Sequence, residues 1–382
     1  MRVFALILLG TSVLAGEMPE VPAWNAASRE ETAAWFAENE YGVLPEAARN
    51  PLVRYEAIGE DRVMMDGAAV RKRVRIVVTG PCGQHGFDVT AFLPANAKVP
   101  VPSFLLICNR SPAKNIDPER KVKSPFWPAE EIVRRGYAAI AFFNGDVTPD
   151  WDTGGTAGIF SCYMRAATSA RKPDHWGVLR AWSFGASRVM DWIESEPKLD
   201  AKHVAIVGHS RGGKAALITG VTDERFAMAC VNDSGCSGIK LNRLSLPKSE
   251  QTSFMSVVWG YWFCNNYRKW AHDPVDAAPF DQHQYAALMA PRLLAVASAS
   301  EDVWAGPQGE FASCRLASGA WEALGFKGLV ASEFPARPDT AFQEGRISYH
   351  LRKGKHDLTP YDWARYMDFA DRNGWLKALG AP

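Results

Sequence analysis

The run that most constrains this chain is His203-Val204-Ala205-Ile206-Val207-Gly208-His209-Ser210-Arg211-Gly212-Gly213-Lys214-Ala215-Ala216-Leu217. It reads as a buried strand, a sharp glycine-flanked turn and the start of a helix. At the turn lies Gly208-His209-Ser210-Arg211-Gly212, a G-x-S-x-G sequence. A serine at the tip of a strand-to-helix turn sits in strained backbone, and side chains at the flanking glycines would collide with it. Such a turn pushes the serine Oγ out of the sheet. It also aims the backbone N–H of Arg211 at the place where an oxyanion would form. The pentapeptide alone is a weak signal, since Gly and Ser are common turn residues. The apolar strand before it and the helix-forming run after it supply the context that a nucleophile elbow requires.

The rest of the chain alternates strands and helices around this element. Ala27 to Asn39 has helical character, within a polar segment 17–50 that lies over the domain. Arg71–Thr79 and Gly86–Leu93 alternate like two antiparallel edge strands. Pro102–Cys108, Tyr137–Phe143, Phe226–Val231, Arg292–Ala297 and Ile347–Arg352 read as strands. Helices are predicted over Glu130–Arg135, Trp176–Glu194, Gln282–Met289, Phe311–Leu324 and Tyr361–Leu379. The aromatic-rich stretches Trp151–Lys172 and Ile239–Ala278 show no period and read as excursions. No Pro/Ser-rich linker, repeat or low-complexity segment divides the chain. The expectation is one domain over residues 17–382: an α/β-hydrolase fold, a three-layer αβα sandwich with a mostly parallel central sheet.

A serine hydroxyl needs a general base, and the base needs an orienting carboxylate. In α/β-hydrolases the order along the chain is Ser, acid, His. Of eight histidines, His85, His175 and His203 precede Ser210, and His209 adjoins it in a position that points elsewhere. His272 and His283 belong to the long insertion and its edge, and His350 lies inside the last strand. His356 follows that strand in a Gly-Lys-His loop, where the base of this fold belongs. Three carboxylates compete for the acid: Glu301 and Asp302 after the Arg292–Ala297 strand, and Asp233 after the Phe226–Val231 strand. Asp302 has the better spacing; the choice stays open.

Arg2 followed by the apolar run Val3–Leu9 and small residues to Gly16 has the pattern of a secretory signal peptide over residues 1–16, too short to span a membrane. The expected location is secreted or periplasmic, with no membrane association after removal of the leader. A formal charge of +1 argues against nucleic acid as a partner. Seven cysteines, an odd number, are expected to be mostly buried free thiols. No metal-ligand spacing and no phosphate loop is present, so neither a metal nor another cofactor is expected. A monomer is expected. Fourteen tryptophans serve mostly packing, with some available to line a carbohydrate groove.

The chain resembles the glucuronoyl esterases, carbohydrate esterase family fifteen, in several blocks. These include Gly208-His209-Ser210-Arg211-Gly212-Gly213-Lys214, Gly185-Ala186-Ser187-Arg188, Asn232-Asp233-Ser234-Gly235-Cys236, Pro279-Phe280-Asp281-Gln282-His283, Glu301-Asp302-Val303-Trp304 and Gly309-Glu310-Phe311. The resemblance covers roughly residues 100–375. It implies a serine esterase acting on glucuronoxylan–lignin esters, in which Arg211 helps bind the oxyanion and Lys214 and Trp304 contact the glucuronate. Gln282 and Glu310 are further candidate substrate contacts. Members place the acid at either the Asp233-like or the Asp302-like position, and this chain carries both. Fungal members have a bridged cysteine before the serine, which His209 replaces here. Two other readings compete: an acetylxylan or other carbohydrate esterase of the same fold, and a non-catalytic carbohydrate-binding protein.

Overall fold

The structure is a computed structural model that describes residues 26–165 and 171–376. The leader expected over residues 1–16 lies outside the described residues. Among those described, no helix is long and apolar enough to cross a membrane.

Among the described residues, eleven strands form one sheet. They are β1 (Leu52–Ala57), β2 (Arg62–Met64), β3 (Ala69–Gly80), β4 (Gly83–Pro94), β5 (Val101–Cys108), β6 (Ala138–Phe143), β7 (Leu199–His209), β8 (Met228–Asn232), β9 (Leu293–Ala299), β10 (Thr340–Phe342) and β11 (Ile347–Arg352). The order across the sheet is β1-β3-β4-β6-β5-β7-β8-β9-β11-β10, with β2 on β3. From β6 through β5, β7, β8 and β9 to β11 the pairing is parallel, and the flanks on both sides are antiparallel. The expected edge pair is therefore not at the edge. β1 covers β3, with Arg54 opposite Val77, and β4 continues into β6. β1 left little trace in the sequence because most of its residues are exposed on both faces.

Alternation along β7 explains the layers. Val204 and Ile206 face one apolar core, while Ala205 and Val207 face the other. Strands buried on both faces read as continuous apolar runs, as β5 and β7 do. The first core takes the helix Val178–Ser195, whose Leu179, Trp182, Ala186, Val189, Met190 and Ile193 recur at helical spacing and are all buried. Full burial of each large apolar side chain contributes about 1.5–3 kcal/mol relative to exposure. Trp182 keeps its indole N–H satisfied on the Thr148 carbonyl at 3.0 Å. The helices Arg211–Thr222 and Pro307–Ala323 also pack on this face, and Ala129–Arg134 and Pro360–Arg372 on the other. The Ile239–Ala278 insertion carries one α-helix, Thr252–Val258, and short 3-10 turns. All seven cysteines are unpaired.

Candidate active site

The parallel strands end along one rim, where open α/β sheets place their ligands. Ser210 follows β7 with φ 57° and ψ −127°, the strained geometry of an elbow. Gly208 makes that turn possible: a Cβ there would lie 1.9 Å from the Gly212 carbonyl oxygen. The rim is laced laterally beyond the strands. Ser210 N–H donates to Asn232 O at 2.9 Å, and Asp233 N–H to Ala297 O at 2.8 Å. Ser300 N–H donates to Arg352 O at 2.8 Å, and Glu301 N–H to Gly354 O at 2.9 Å. The loops after four adjacent strands thus continue the sheet's backbone pairing.

This rim brings His356 to Asp302. The imidazole Nδ1 lies 2.5 Å from Asp302 Oδ2, which leaves Nε2 as the nitrogen open to a serine proton. Asp302 is buried and also accepts from Ala305 N–H at 3.2 Å, while His356 is exposed. Glu301 is exposed, and its backbone rather than its carboxylate engages the His356 loop. Asp233 is buried, accepts from Ala299 N–H at 2.7 Å and pairs with the Arg352 guanidinium at 3.3 Å. Burial, together with the Glu310, Asp302 and Asp362 carboxylates, pushes its pKa well above the usual range, against the pull of Arg352. A carboxyl biased toward its neutral form is a poor partner for an imidazolium, which favours Asp302 in that position.

Donor atoms of Asp233, Asp302 and His356 all fall within 4.8 Å of one another. The reading that no His/Cys/Asp group sits at ligand spacing holds along the chain but not in space. Here the positive charge facing the two carboxylates comes from Arg352 and, on protonation, from His356.

His209, read as pointing elsewhere, turns inward so that its ring centroid lies 4.3 Å from that of His356. Its Nδ1 meets Asn232 Oδ1 at 2.6 Å and its Nε2 meets Arg110 at 3.4 Å. Burial, with His356 and Arg110 nearby, drives its pKa well below the ordinary value. A neutral His209 adds no like charge against a protonated His356.

Arg211 is half-buried. Its Nε is bonded to Asp150, and its Nη2 donates to Asn109 O at 3.0 Å. Asp150 in turn accepts from the Trp262 indole at 2.7 Å. Among the described residues Nη1 has no protein acceptor, so one edge of the guanidinium is held while another remains available.

Lys214 is placed differently from the expected sugar contact. It is buried, and its ammonium donates to Ser234 O at 2.5 Å, Cys236 O at 2.5 Å and Glu250 Oε2 at 2.9 Å. Three donors meet three acceptors, so its ammonium is committed to protein partners. The other Glu250 oxygen accepts from the Trp304 indole at 2.8 Å. Trp304 is 38% exposed and begins an aromatic strip. It meets Phe254 edge-on at 5.4 Å; Phe254 meets Trp259 at 5.4 Å, and Trp259 stacks on Trp262 at 4.9 Å. The strip connects Trp304 to the Asp150–Arg211 pair. Glu250 and Asp150 were missed in the sequence, where both lie in or beside segments without a period.

The remaining two expected substrate contacts are interior. Gln282 is fully buried, donating to Glu40 at 2.8 Å and accepting from the Tyr41 hydroxyl at 3.0 Å. Glu310 is also fully buried, accepting from Gly235 N–H at 2.9 Å and lying 2.5 Å from the Ser298 hydroxyl. Both brace the loops behind the site rather than line it.

Burial without a cation raises Glu40 to about 7 from an ordinary 4.5. The folded protein therefore holds this proton where the unfolded chain has lost it. Stability from this group is complete below about pH 4.5 and is lost as pH rises through about 7. The loss amounts to about 3 kcal/mol at most. Glu40→Gln is expected to flatten the fall in thermal midpoint between pH 5 and 8, as read by calorimetry. An unchanged slope would refute the proton's presence.

Comparison with known proteins identifies the family and the fold. A family model described as glucuronyl esterase, fungi, matches residues 123–325. Carbohydrate esterase MZ0003, from an unknown prokaryotic organism, is 34% identical over 92% of this chain and 85% of its own length. The 4-O-methyl-glucuronoyl methylesterase of Hypocrea jecorina is 31% identical over 71% of this chain, which spans 57% of that protein. Among solved structures, a glucuronoyl esterase from Solibacter usitatus superposes with a TM-score of 0.81 at 33% identity, covering 91% of this chain and 92% of that one. A promiscuous CE15 esterase from a marine bacterial metagenome gives 0.80 at 33% identity, covering 91% of both. With the α/β-hydrolase fold, the sequence and the family model in agreement, the chain belongs to the glucuronoyl esterases of carbohydrate esterase family 15 and is a carboxylic ester hydrolase.

Proposed function

We propose that the protein hydrolyses the ester between glucuronic or 4-O-methyl-glucuronic acid on xylan and a lignin alcohol, through an acyl-enzyme on Ser210. The observation that carries this mechanism is the 2.5 Å contact of His356 with buried Asp302 on the rim beside the Ser210 elbow. Ser210 Oγ attacks the ester carbonyl and gives its proton to His356 Nε2. Asp302 holds the imidazole and offsets the charge it gains. The carbonyl oxygen becomes an oxyanion facing the Arg211 N–H and the free edge of its guanidinium. As the tetrahedral species collapses, the alcohol leaves with the proton from His356. Water then attacks the acyl-enzyme by the same route in reverse and releases the uronic acid.

Substrate class rests on the relatives' names together with the site's chemistry. Trp304 offers an indole face for the apolar face of a sugar ring. Glu250, buried between Lys214 and Trp304, holds the indole N–H and so fixes the orientation of that face. The leader-like N-terminus supports export to the periplasm or the medium.

A panel of esters tests the assignment. Methyl and benzyl glucuronates are expected to be cleaved with kcat/KM at least about 10²-fold above that for acetylated xylan. Faster release of acetate than of glucuronate would replace this reading with an acetylxylan esterase. No turnover of any ester, with xylan-oligomer affinity retained, would indicate a binding protein.

A further inference from the structure

We propose that Arg352 is the positioning residue of the His356 loop: its guanidinium is the internal template around which residues 353–357 fold. The inference rests on the reading of His356 as general base. Arg352 ends β11 and is buried at 5% exposure. Its Nη1 donates to Lys353 O at 3.3 Å. Its Nη2 is shared by Lys355 O at 3.0 Å, Asp357 O at 2.7 Å and Asp233 Oδ2 at 3.3 Å. Its Nε faces Asp362 Oδ2 at 3.0 Å. The carbonyls of residues 355 and 357 bracket His356, so one rigid plane fixes the backbone on both sides of the base.

This loop has little else to hold it from within. Lys353, Lys355 and His356 are exposed, and Gly354 turns the chain at φ 117°. The next fully buried side chain is Leu358. From outside, Lys353 N–H donates to Asp339 Oδ1 at 3.0 Å, Gly354 N–H donates to Ser300 Oγ at 3.3 Å and Gly354 O accepts from Glu301 N–H at 2.9 Å, all ahead of His356. Beyond it, Arg110 pairs with Asp357 at 2.6 Å, but both side chains are substantially exposed and the pair is correspondingly weak. Beneath the loop, Asp362 anchors the guanidinium to the next element. It caps the helix Pro360–Arg372 through Thr359 and meets His350 Nε2 at 2.9 Å. Arg352 therefore connects the base loop to Asp233 on one side and to a capped helix on the other. A base must sit within hydrogen-bond reach of the proton it takes, and an error of about 1 Å costs on the order of 10²-fold in rate.

Arginine is required here for shape as much as for charge. A guanidinium presents five N–H donors in a fixed plane, whereas a lysine ammonium is a point charge with three. Arg352→Lys retains a cation for Asp233 and Asp362 but cannot reach three carbonyls and two carboxylates together.

The test compares full-length wild type, Arg352→Lys, Arg352→Gln/Asp233→Asn and His356→Ala. Turnover of benzyl glucuronate, the rate of Ser210 phosphonylation by a fluorophosphonate and thermal midpoint are read for each. For Arg352→Lys, kcat and phosphonylation are expected to fall together by about 10²-fold, with KM within about threefold and the midpoint within a few degrees. Wild-type kcat in a folded Arg352→Lys would overturn the proposal. Should that variant not fold, the double variant is read in its place, since it removes one positive and one negative charge together. Failure of both to fold would assign Arg352 to stability alone and also overturn the proposal. His356→Ala separates the two readings: if it turned over normally, the triad itself would be wrong, whatever Arg352 does.

Discussion

Ser210→Ala is expected to lower kcat on benzyl glucuronate by about 10⁴- to 10⁶-fold, leaving only the residual catalysis that binding and oxyanion stabilisation supply. The effect is this large because the oxygen removed is the atom that forms the acyl bond. The substitution itself is structurally mild: alanine at position 210 keeps the backbone hydrogen bond to Asn232 O, and the glycine contacts that shape the elbow do not involve the hydroxyl. Affinity for the uronic acid should therefore survive, and the thermal midpoint should stay near that of the wild type. Quenched-flow kinetics on the wild type should show a burst of alcohol release where deacylation limits. A Ser210→Ala enzyme retaining a tenth of wild-type turnover would remove the nucleophile from the proposed mechanism.

The second large effect divides the two carboxylates. Asp302→Ala is expected to lower kcat by about 10³- to 10⁴-fold, since the imidazole loses both its orientation and the charge that stabilises its protonated form. Asp233→Ala is expected to cost less, about 10- to 10²-fold. Its carboxyl is held by Ala299 N–H and Arg352, and its removal acts on His356 through the loop that Arg352 templates. The donor atoms of both acids lie within 4.8 Å of those of His356. Part of the Asp302→Ala loss can therefore be recovered by Asp233, and the double variant should be worse than either single one. Loss of turnover in Asp233→Ala alone, with Asp302→Ala active, would reverse the assignment.

The parts of this site carried by the main chain were legible in the sequence. The Ser210 elbow, the position of His356 after the last parallel strand and the layered sheet each follow from a local pattern: glycine spacing, an apolar run, a helical period. What burial decides was not legible. Lys214, Gln282 and Glu310 are polar residues in blocks resembling family motifs, so they were expected to touch substrate. The structure buries all three and commits their polar groups to protein partners. Glu250 and Asp150 escaped notice for the opposite reason. Each acts on partners far away in sequence, Lys214 and Trp304 for Glu250 and Arg211 and Trp262 for Asp150, and no spacing rule links such residues. β1 and β10 went unseen because short, largely exposed or half-exposed strands carry little hydrophobic alternation.

The lateral lacing of the rim has a consequence for how such a protein can change over generations. The four bonds from Ser210, Asp233, Ser300 and Glu301 are made by backbone groups, so they do not depend on side-chain identity. Longer excursions enter the chain beyond these tied positions, as the 239–278 segment does after the Asp233 turn. Such a segment can lengthen, shorten or trade its aromatic residues while the nucleophile, base and acid keep their spacing. New substrates become accessible by altering what surrounds the reacting atoms, without re-evolving their alignment.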